Sequence, residues 1–391
     1  MGKTRLKTWG FRVVTLGLTL LLLTVVFEVG FRLVYPQYGG CKYSDRDAEL
    51  GWRLSPGHSA RCVSRGHRTV SHIEISHQGF RSPAVEVPKP PGMRRIFMLG
   101  DSMTFGTGIG ASETTAAVLE ARLRETDSAQ PLYEVVNAGT PGYGTAQQWL
   151  LYQRWADELD PDAVILMFFI GNDLENNVCY STWETHPCFR LENGELVLES
   201  ALPEEEPARR ESWSLGQLHT YIFFHDRLQS LAIANPTMAR LLATLGYQRK
   251  LTNTLHSWYD DEFLARSWGV TEALLNALEA DVRADGIPLI LVILPSSPQT
   301  TESFRQMTEL LYGETPEGAA FFEDSRLPQR RLLGWAKERG VIAIDPLDAM
   351  ERAAAGGSIY LPDRHFNPLG ARIIAQEIEN ALTSEGVLDP S

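Results

Sequence analysis

The sequence has 391 residues, 43% of them hydrophobic, and a formal net charge of −13. Such a composition argues against a disordered chain and allows one large core with accessory pieces. The acidic balance, with no Lys/Arg-rich run beyond the first dozen residues, argues against nucleic acid or an anionic lipid surface as the main partner.

The N-terminus carries Lys3, Arg5, Lys7 and Arg12, followed by an uncharged run from Val13 to Phe27 that continues less cleanly to Tyr35. A helix over 13–35 would reach about 34 Å, enough to cross a bilayer. Glu28 and Arg32 interrupt its outer end, but at a spacing of four they can pair on one face and snorkel toward the headgroups. A cleaved signal peptide is the competing reading. No small-x-small pattern closes the run, because 31–38 is bulky, and a lipoprotein cysteine at Cys41 lies too far past it, so a retained transmembrane anchor is expected. The basic flank predicts a cytoplasmic tail at 1–12 and a periplasmic or extracellular location for everything after the anchor.

Four cysteines fit that topology: Cys41 with Cys62, and Cys179 with Cys188, form two sequence-local pairs. Of the three possible connectivities, this local one is expected in an oxidising compartment. No Cys-x-x-Cys spacing marks a zinc site, and no metal is expected. Residues 36–92 read as an irregular cap or linker, with one alternating stretch, Thr69 to Ser76, of strand type. Its histidines, His58, His67, His72 and His77, follow no ligand spacing and are expected on turns and surface. The stiff Pro88–Gly92 run marks a boundary.

From there to residue 391 the pattern turns regular. Apolar runs at Ile96–Leu99, Glu134–Val136, Ala163–Ile170, Leu289–Leu294 and Val341–Ile344 have strand length. Helical periodicity fills Thr114–Arg124, Thr145–Leu159, Thr271–Ala284, Arg326–Arg339 and Pro368–Leu382. Strands alternating with helices predict a flavodoxin-like three-layer α/β/α sandwich on a five-stranded parallel sheet. One interval, 174–265, is far longer than a crossover. It holds the second cysteine pair, the acidic run Glu204–Glu206 and the aromatic residues Trp183, Trp213, Tyr221, Phe223, Phe224, Trp258 and Tyr259. Two readings stand side by side: a lid over the site, or an insertion packing its own small core.

Ligands meet a parallel sheet at the carboxyl ends of its strands, so the residues just after each strand matter most. The first run ends in Gly100-Asp101-Ser102, the second in Asn137-Ala138-Gly139-Thr140-Pro141-Gly142, and the third in Gly171-Asn172-Asp173. Before the last helix stands Asp363-Arg364-His365. Singly these are common patterns; together, in this order and at these strand ends, they resemble the four blocks of the SGNH (GDSL-like) hydrolase superfamily over about 95–382.

The resemblance implies that Ser102 is a nucleophile activated by His365, which Asp363 orients. It further implies that the Ser102 N–H, Gly142 and Asn172 form an oxyanion hole. Gly142 is chosen over Gly139 because it stands five residues after Asn137, as in the family pattern. One departure is visible: many members place two residues between acid and histidine, whereas here only Arg364 intervenes. That spacing is similar to alginate O-acetylation enzymes with an SGNH-like fold. The implied activity is a cofactor-free serine esterase or acylhydrolase acting on an O-acylated carbohydrate, lipid or small ester. An O-acyltransferase of surface polysaccharide is the alternative, and a non-catalytic binding module the third reading.

Overall fold

The computed structural model describes residues 2–35, 41–63, 70–126, 132–178, 186–198, 218–235, 237–238, 241, 253–361 and 363–387. In chain order the elements are α1 (Gly2–Val34), β1 (Ser44–Asp47), β2 (Gly51–Leu54), β3 (Ser59–Val63), β4 (Val70–Glu74), β5 (Met93–Gly100), α2 (Ser102–Phe105), α3 (Thr115–Thr126), β6 (Leu132–Asn137), α4 (Thr145–Leu159), β7 (Ala163–Phe169) and α5 (Asp173–Asn176). There follow β8 (Phe189–Glu192), β9 (Glu195–Leu198), α6 (His219–Ala234), α7 (Asn253–Tyr259), α8 (Asp261–Ala284) and β10 (Leu289–Leu294). The C-terminal part adds α9 (Ser297–Thr300), α10 (Glu302–Tyr312), α11 (Pro316–Glu323), α12 (Leu327–Arg339), β11 (Ile342–Ile344), α13 (Leu347–Ala354) and α14 (Pro368–Ser384).

The central sheet runs β11-β10-β7-β5-β6, every pair parallel. Counted along the chain within this sheet, that is the doubly wound order 2-1-3-4-5, whose switch point lies between β5 and β7. The middle strands are apolar on both faces because both are covered: Phe97, Leu99, Leu166 and Leu291 enter one core with α4, α8 and α12. Ile96, Met98, Ile165 and Ile290 enter the other with α3 and α14.

All five strands fall on the apolar runs read from the sequence. The helix expected from Thr271 begins ten residues earlier, at Asp261, where the Asp260 side chain accepts the Phe263 N–H at 2.9 Å. Four short helices between β10 and α14, α9, α10, α11 and α13, were not expected; each is only a few turns at most and lies between stronger signals.

The larger difference is in 41–92. It holds two antiparallel hairpins, β1–β2 and β3–β4, not one strand in an irregular cap, and Leu50, Phe80 and Val85 join the main core. In the long interval, Trp258 is fully buried in that core and donates its indole N–H to Ile170 O at 2.7 Å. Tyr259 packs there too, while Phe223 stacks on Phe31 of α1. These described aromatics therefore serve the main core and the N-terminal helix, which neither reading anticipated; Trp183, Trp213 and Glu204–Glu206 lie outside the described residues. Along α1, Trp9–Val34 is long and apolar enough to cross a membrane, with none of its most apolar stretch buried by the protein. Glu28 and Arg32 pair at 2.7 Å.

Candidate active site

Ser102 opens α2 directly after β5, at the carboxyl edge of the sheet beside the switch point. Asp101 caps this helix, its Oδ1 accepting the Met103 N–H at 2.8 Å. Ser102 Oγ lies 2.9 Å from His365 Nε2, although 263 residues separate them in the chain. His365 is held in a tight loop: Leu361 N–H donates to its carbonyl at 2.7 Å, and Arg364 N–H donates to Leu361 O at 2.8 Å. Two residues on, the Asn367 side chain caps α14 by accepting the Leu369 and Gly370 N–H groups.

Arg364 adopts φ +74°, a left-handed conformation that costs a non-glycine residue about 1 kcal/mol. This bend folds Asp363 back onto the ring despite the shortened spacing. Asp363 Oδ2 stands 3.2 Å from His365 Nδ1, while Oδ1 accepts the backbone N–H of His365, also at 3.2 Å. The Nδ1 contact is close but poorly aligned for a hydrogen bond, because the same carboxylate is drawn toward the backbone. Catalytic hydrogen bonds are commonly loose in this way before substrate binds.

The two glycines after β6 separate cleanly. A side chain on Gly139 would meet Phe105 N at 2.3 Å, and its N–H is already taken by Asn137 Oδ1 at 3.0 Å. Gly139 thus serves close packing of the β6 loop on α2. Gly142 has φ +86°, and its N–H finds no acceptor among the described residues. Asn172 donates its amide to Asp101 Oδ2 at 3.2 Å, which leaves the second amide hydrogen for another acceptor.

Beneath the site two carboxyl groups are fully buried, Asp101 and Asp173. Burial raises Asp101, opposed by the Met103 N–H, the His365 charge, the Asn172 amide and the Ser102 N–H. Burial and the charge of Asp101 raise Asp173 much further, with only the Phe169 N–H and Gln148 opposing. Of the pair, Asp173 is thus the one held further above the ordinary carboxylate range, by burial first and then by the charge of Asp101. Among the described residues, no three His, Cys, Asp or Glu side chains gather as a metal site.

Several contributors left no motif. Arg81 is 2% exposed and donates to Phe105 O, Gly106 O and Ile109 O at 2.5, 2.6 and 2.7 Å; its guanidinium also lies 4.3 Å above the Phe105 ring. It thus staples the turn that follows Ser102. Trp52 donates to Pro141 O at 3.1 Å and accepts the Tyr143 hydroxyl on its own carbonyl, and its ring closes over Gly142. Asn137, quoted above only as a landmark, donates to Thr104 O at 3.0 Å and ties β6 to α2. Cys41 and Cys62 form a disulfide with Cα atoms 5.6 Å apart, packed against Phe105. Cys188 is disulfide-bonded; Cys179 lies outside the described residues.

An imidazole at hydrogen-bond distance from a serine hydroxyl, with a carboxylate behind it and amide donors nearby, can convert the hydroxyl into a nucleophile toward a carbonyl. The chain is similar over limited regions to two proteins named probable alginate O-acetylase AlgJ. It is 29% identical to that of Pseudomonas putida over 118 residues, 30% of this chain and 28% of that protein. With that of Azotobacter vinelandii it shares 27% identity over 139 residues, 34% and 33% respectively. The chain thus spans about three-tenths of the length of these relatives.

Among solved structures, it is similar to LAE5, an alpha/beta hydrolase enzyme from the metagenome of Lake Arreo, at 16% identity and TM-score 0.37, covering 76% of this chain and 97% of that one. The acetyl xylan esterase AlAXEase gives 14% identity and TM-score 0.36, covering 74% and 99%. The model of the GDSL-like lipase/acylhydrolase family matches residues 98–373. This match runs from β5, just before Ser102, into α14, just after His365, and the chain belongs to that family.

Proposed function

We propose that this chain is a serine acyl-ester hydrolase, held by α1 in a membrane with its N-terminus cytoplasmic and its catalytic domain outside. The observation that carries the reading is the 2.9 Å contact between Ser102 Oγ and His365 Nε2, with Asp363 3.2 Å behind the ring. Ser102 Oγ attacks the acyl carbonyl while His365 Nε2 takes its proton. The oxyanion so formed is met by the N–H groups of Ser102 and Gly142 and the free amide hydrogen of Asn172, each such donor lowering the barrier by about 3 kcal/mol. His365 returns the proton to the departing alcohol, leaving an acyl-serine. Water then attacks with His365 again as base, and the acid is released. The exposed apolar helix and its basic N-terminal flank support the topology.

The test is Ser102→Ala in the purified full chain. It should retain the circular dichroism of the parent and lose at least about a thousandfold in hydrolysis of short aryl esters, together with labelling by a fluorophosphonate; His365→Ala should do the same. Parental turnover by a folded Ser102→Ala protein would overturn the assignment.

Transfer of the acyl group to a sugar hydroxyl is a second reading, favoured by the partial similarity to proteins named for alginate O-acetylation and by the single-residue acid-to-histidine spacing. It differs only in which nucleophile reaches the acyl-serine. Acyl donor supplied with and without oligosaccharide, followed by mass spectrometry, separates the two: free acid supports hydrolysis, and acylated sugar as main product replaces it.

A further inference from the structure

At its outer turn α1 stops being bare. Glu28 Oε1 accepts the His219 N–H at 3.1 Å, and Oε2 accepts the Thr220 N–H at 2.9 Å and the Thr220 hydroxyl at 3.0 Å. A carboxylate of one helix thus satisfies the unpaired first donors of another. Phe31 stacks on Phe223 at 4.6 Å, and Tyr35 meets the same ring edge-on at 6.3 Å. These contacts come from the first five residues of α6, which also packs against α10 of the catalytic domain. On α6, Ile222 is buried, whereas Tyr221, Phe224, Leu228 and Leu231 are exposed, with Phe224 and Leu231 about half so. Their spacing of three, four and three places all four on a single helical face, turned away from Ile222.

The position of α6 along α1 says what covers that face. The uncharged part of α1 runs from Val13 to Phe27 between Arg12 and Glu28, two charges about 24 Å apart along the helix. With both side chains reaching toward the headgroups, they bracket the roughly 30 Å of a bilayer's hydrocarbon. Trp9 stands at one end of the apolar segment and Tyr35 just past the other, the two residue types enriched at membrane interfaces. Glu28, and with it the start of α6, therefore sits at the outer lipid–water boundary.

We infer that α6 is an interfacial membrane helix, its Tyr221-Phe224-Leu228-Leu231 stripe seated in the boundary between headgroups and acyl chains of the outer leaflet. This rests on the membrane-anchor part of the proposed function. The domain then touches the bilayer through two helices joined at Glu28, and α6, wedged between α1 and α10, fixes the domain's attitude to the membrane instead of leaving it on a swivel. Apolar burial, and not charge, holds it there, in keeping with the acidic chain.

The test uses the full chain in vesicles of phosphatidylethanolamine and phosphatidylglycerol. Single Leu228→Cys, Leu20→Cys and Gln376→Cys variants, each labelled with an environment-sensitive nitrobenzoxadiazole dye and checked by circular dichroism, report on α6, α1 and the exposed face of α14. Leu231→Cys stands in should Leu228→Cys fail to fold. Doxyl-labelled lipids supply quenchers near the headgroup or near the chain end.

The expected result is blue-shifted emission at Leu228 with loss of signal to the shallow quencher, loss at Leu20 to the deep quencher, and no quenching at Gln376. A Leu228 label that stays water-exposed while Leu20 is quenched overturns the inference and leaves the anchor standing. Blue-shifted emission at Leu228 that no lipid quenches also overturns it, assigning the stripe to a protein partner. If Leu20 is not quenched, the anchor itself fails and this inference with it.

Discussion

The carboxyl edge of the sheet and the segment 41–92 contribute to the same site by opposite means. At the sheet edge, each side chain proposed for the site follows a strand or precedes a helix: Ser102 after β5, Asn172 after β7, His365 before α14. Segment 41–92 supplies no group that reaches the Ser102 hydroxyl in the contacts described, yet it holds the loops that carry those residues. Arg81 ties the Phe105–Ile109 turn, Trp52 covers Gly142, and Gln147 of α4 donates to Leu50 O at 2.7 Å. The comparison teaches that chemistry and its positioning are encoded separately. The first lies in short local motifs, the second in polar contacts spanning 24 to 97 residues.

That division breaks most directly at Arg81. A loosely attached cap would tolerate its loss within about 0.5 kcal/mol, as exposed positions do. Here Arg81→Met strands three buried carbonyls, and a buried charged donor typically contributes a few kcal/mol. The expected cost is about 3 kcal/mol of unfolding free energy, read from urea unfolding, with ester turnover falling in the folded protein because the turn after Ser102 loosens. Arg81→Lys, able to reach only part of the triad of carbonyls, should fall between. Parental stability for Arg81→Met would return the segment to the status of a cap.

The legible part of the molecule follows from period and run length. Val164, Leu166 and Phe168 face one core and Ile165 and Met167 the other, so the central strand appears as an unbroken apolar run. The start of α8 was not legible, because its first turns place Asp261 and Glu262 before, and Arg266 and Trp268 after, the buried pair Phe263 and Leu264, and the pattern strengthens only after Val270. Arg81 reads in sequence as one more surface cation, since burial without a carboxylate beside it in the chain has no local signature. β1 was not legible for a related reason: it is Ser-Asp-Arg-Asp, whose polar residues are used for docking and not for a core, whereas β4 falls on the alternating stretch read at 69–76.

On the sheet-edge side, the sharper test is Asp363. Its carboxylate is shared between His365 Nδ1 and the His365 backbone N–H, and in the proposed mechanism only the first contact bears on the proton transfer at Nε2. Asp363→Ala should lower kcat by about a hundredfold, well short of the loss in Ser102→Ala, with KM little changed. A loss equal to that of His365→Ala would mean that the acid does more than orient the ring; no loss would remove Asp363 from the constellation and leave His365 held by its loop alone.

The smallest expected effect tests how the first hairpin is docked. Asp47 accepts both arms of Arg154 on α4, at 2.7 and 2.8 Å, and the N–H groups of Glu49 and Leu50. Burial raises its pKa, but Arg154 and the two N–H donors outweigh it and hold the carboxyl down at about 2, against an ordinary value near 3.9. A carboxylate depressed on folding stabilises fully above its unfolded pKa, and that contribution is lost as pH falls from about 4 toward 2. The contribution is about 2 kcal/mol, for a side chain 10% exposed. Asp47→Asn should therefore unfold at lower urea than the parent at pH 7, and the gap should close as pH approaches 2 because the parent itself loses the interaction. A gap that persists undiminished at the acid end would mean that Asp47 acts through its neutral hydrogen bonds to Glu49 and Leu50, and that charge plays no part in fastening the hairpin to α4.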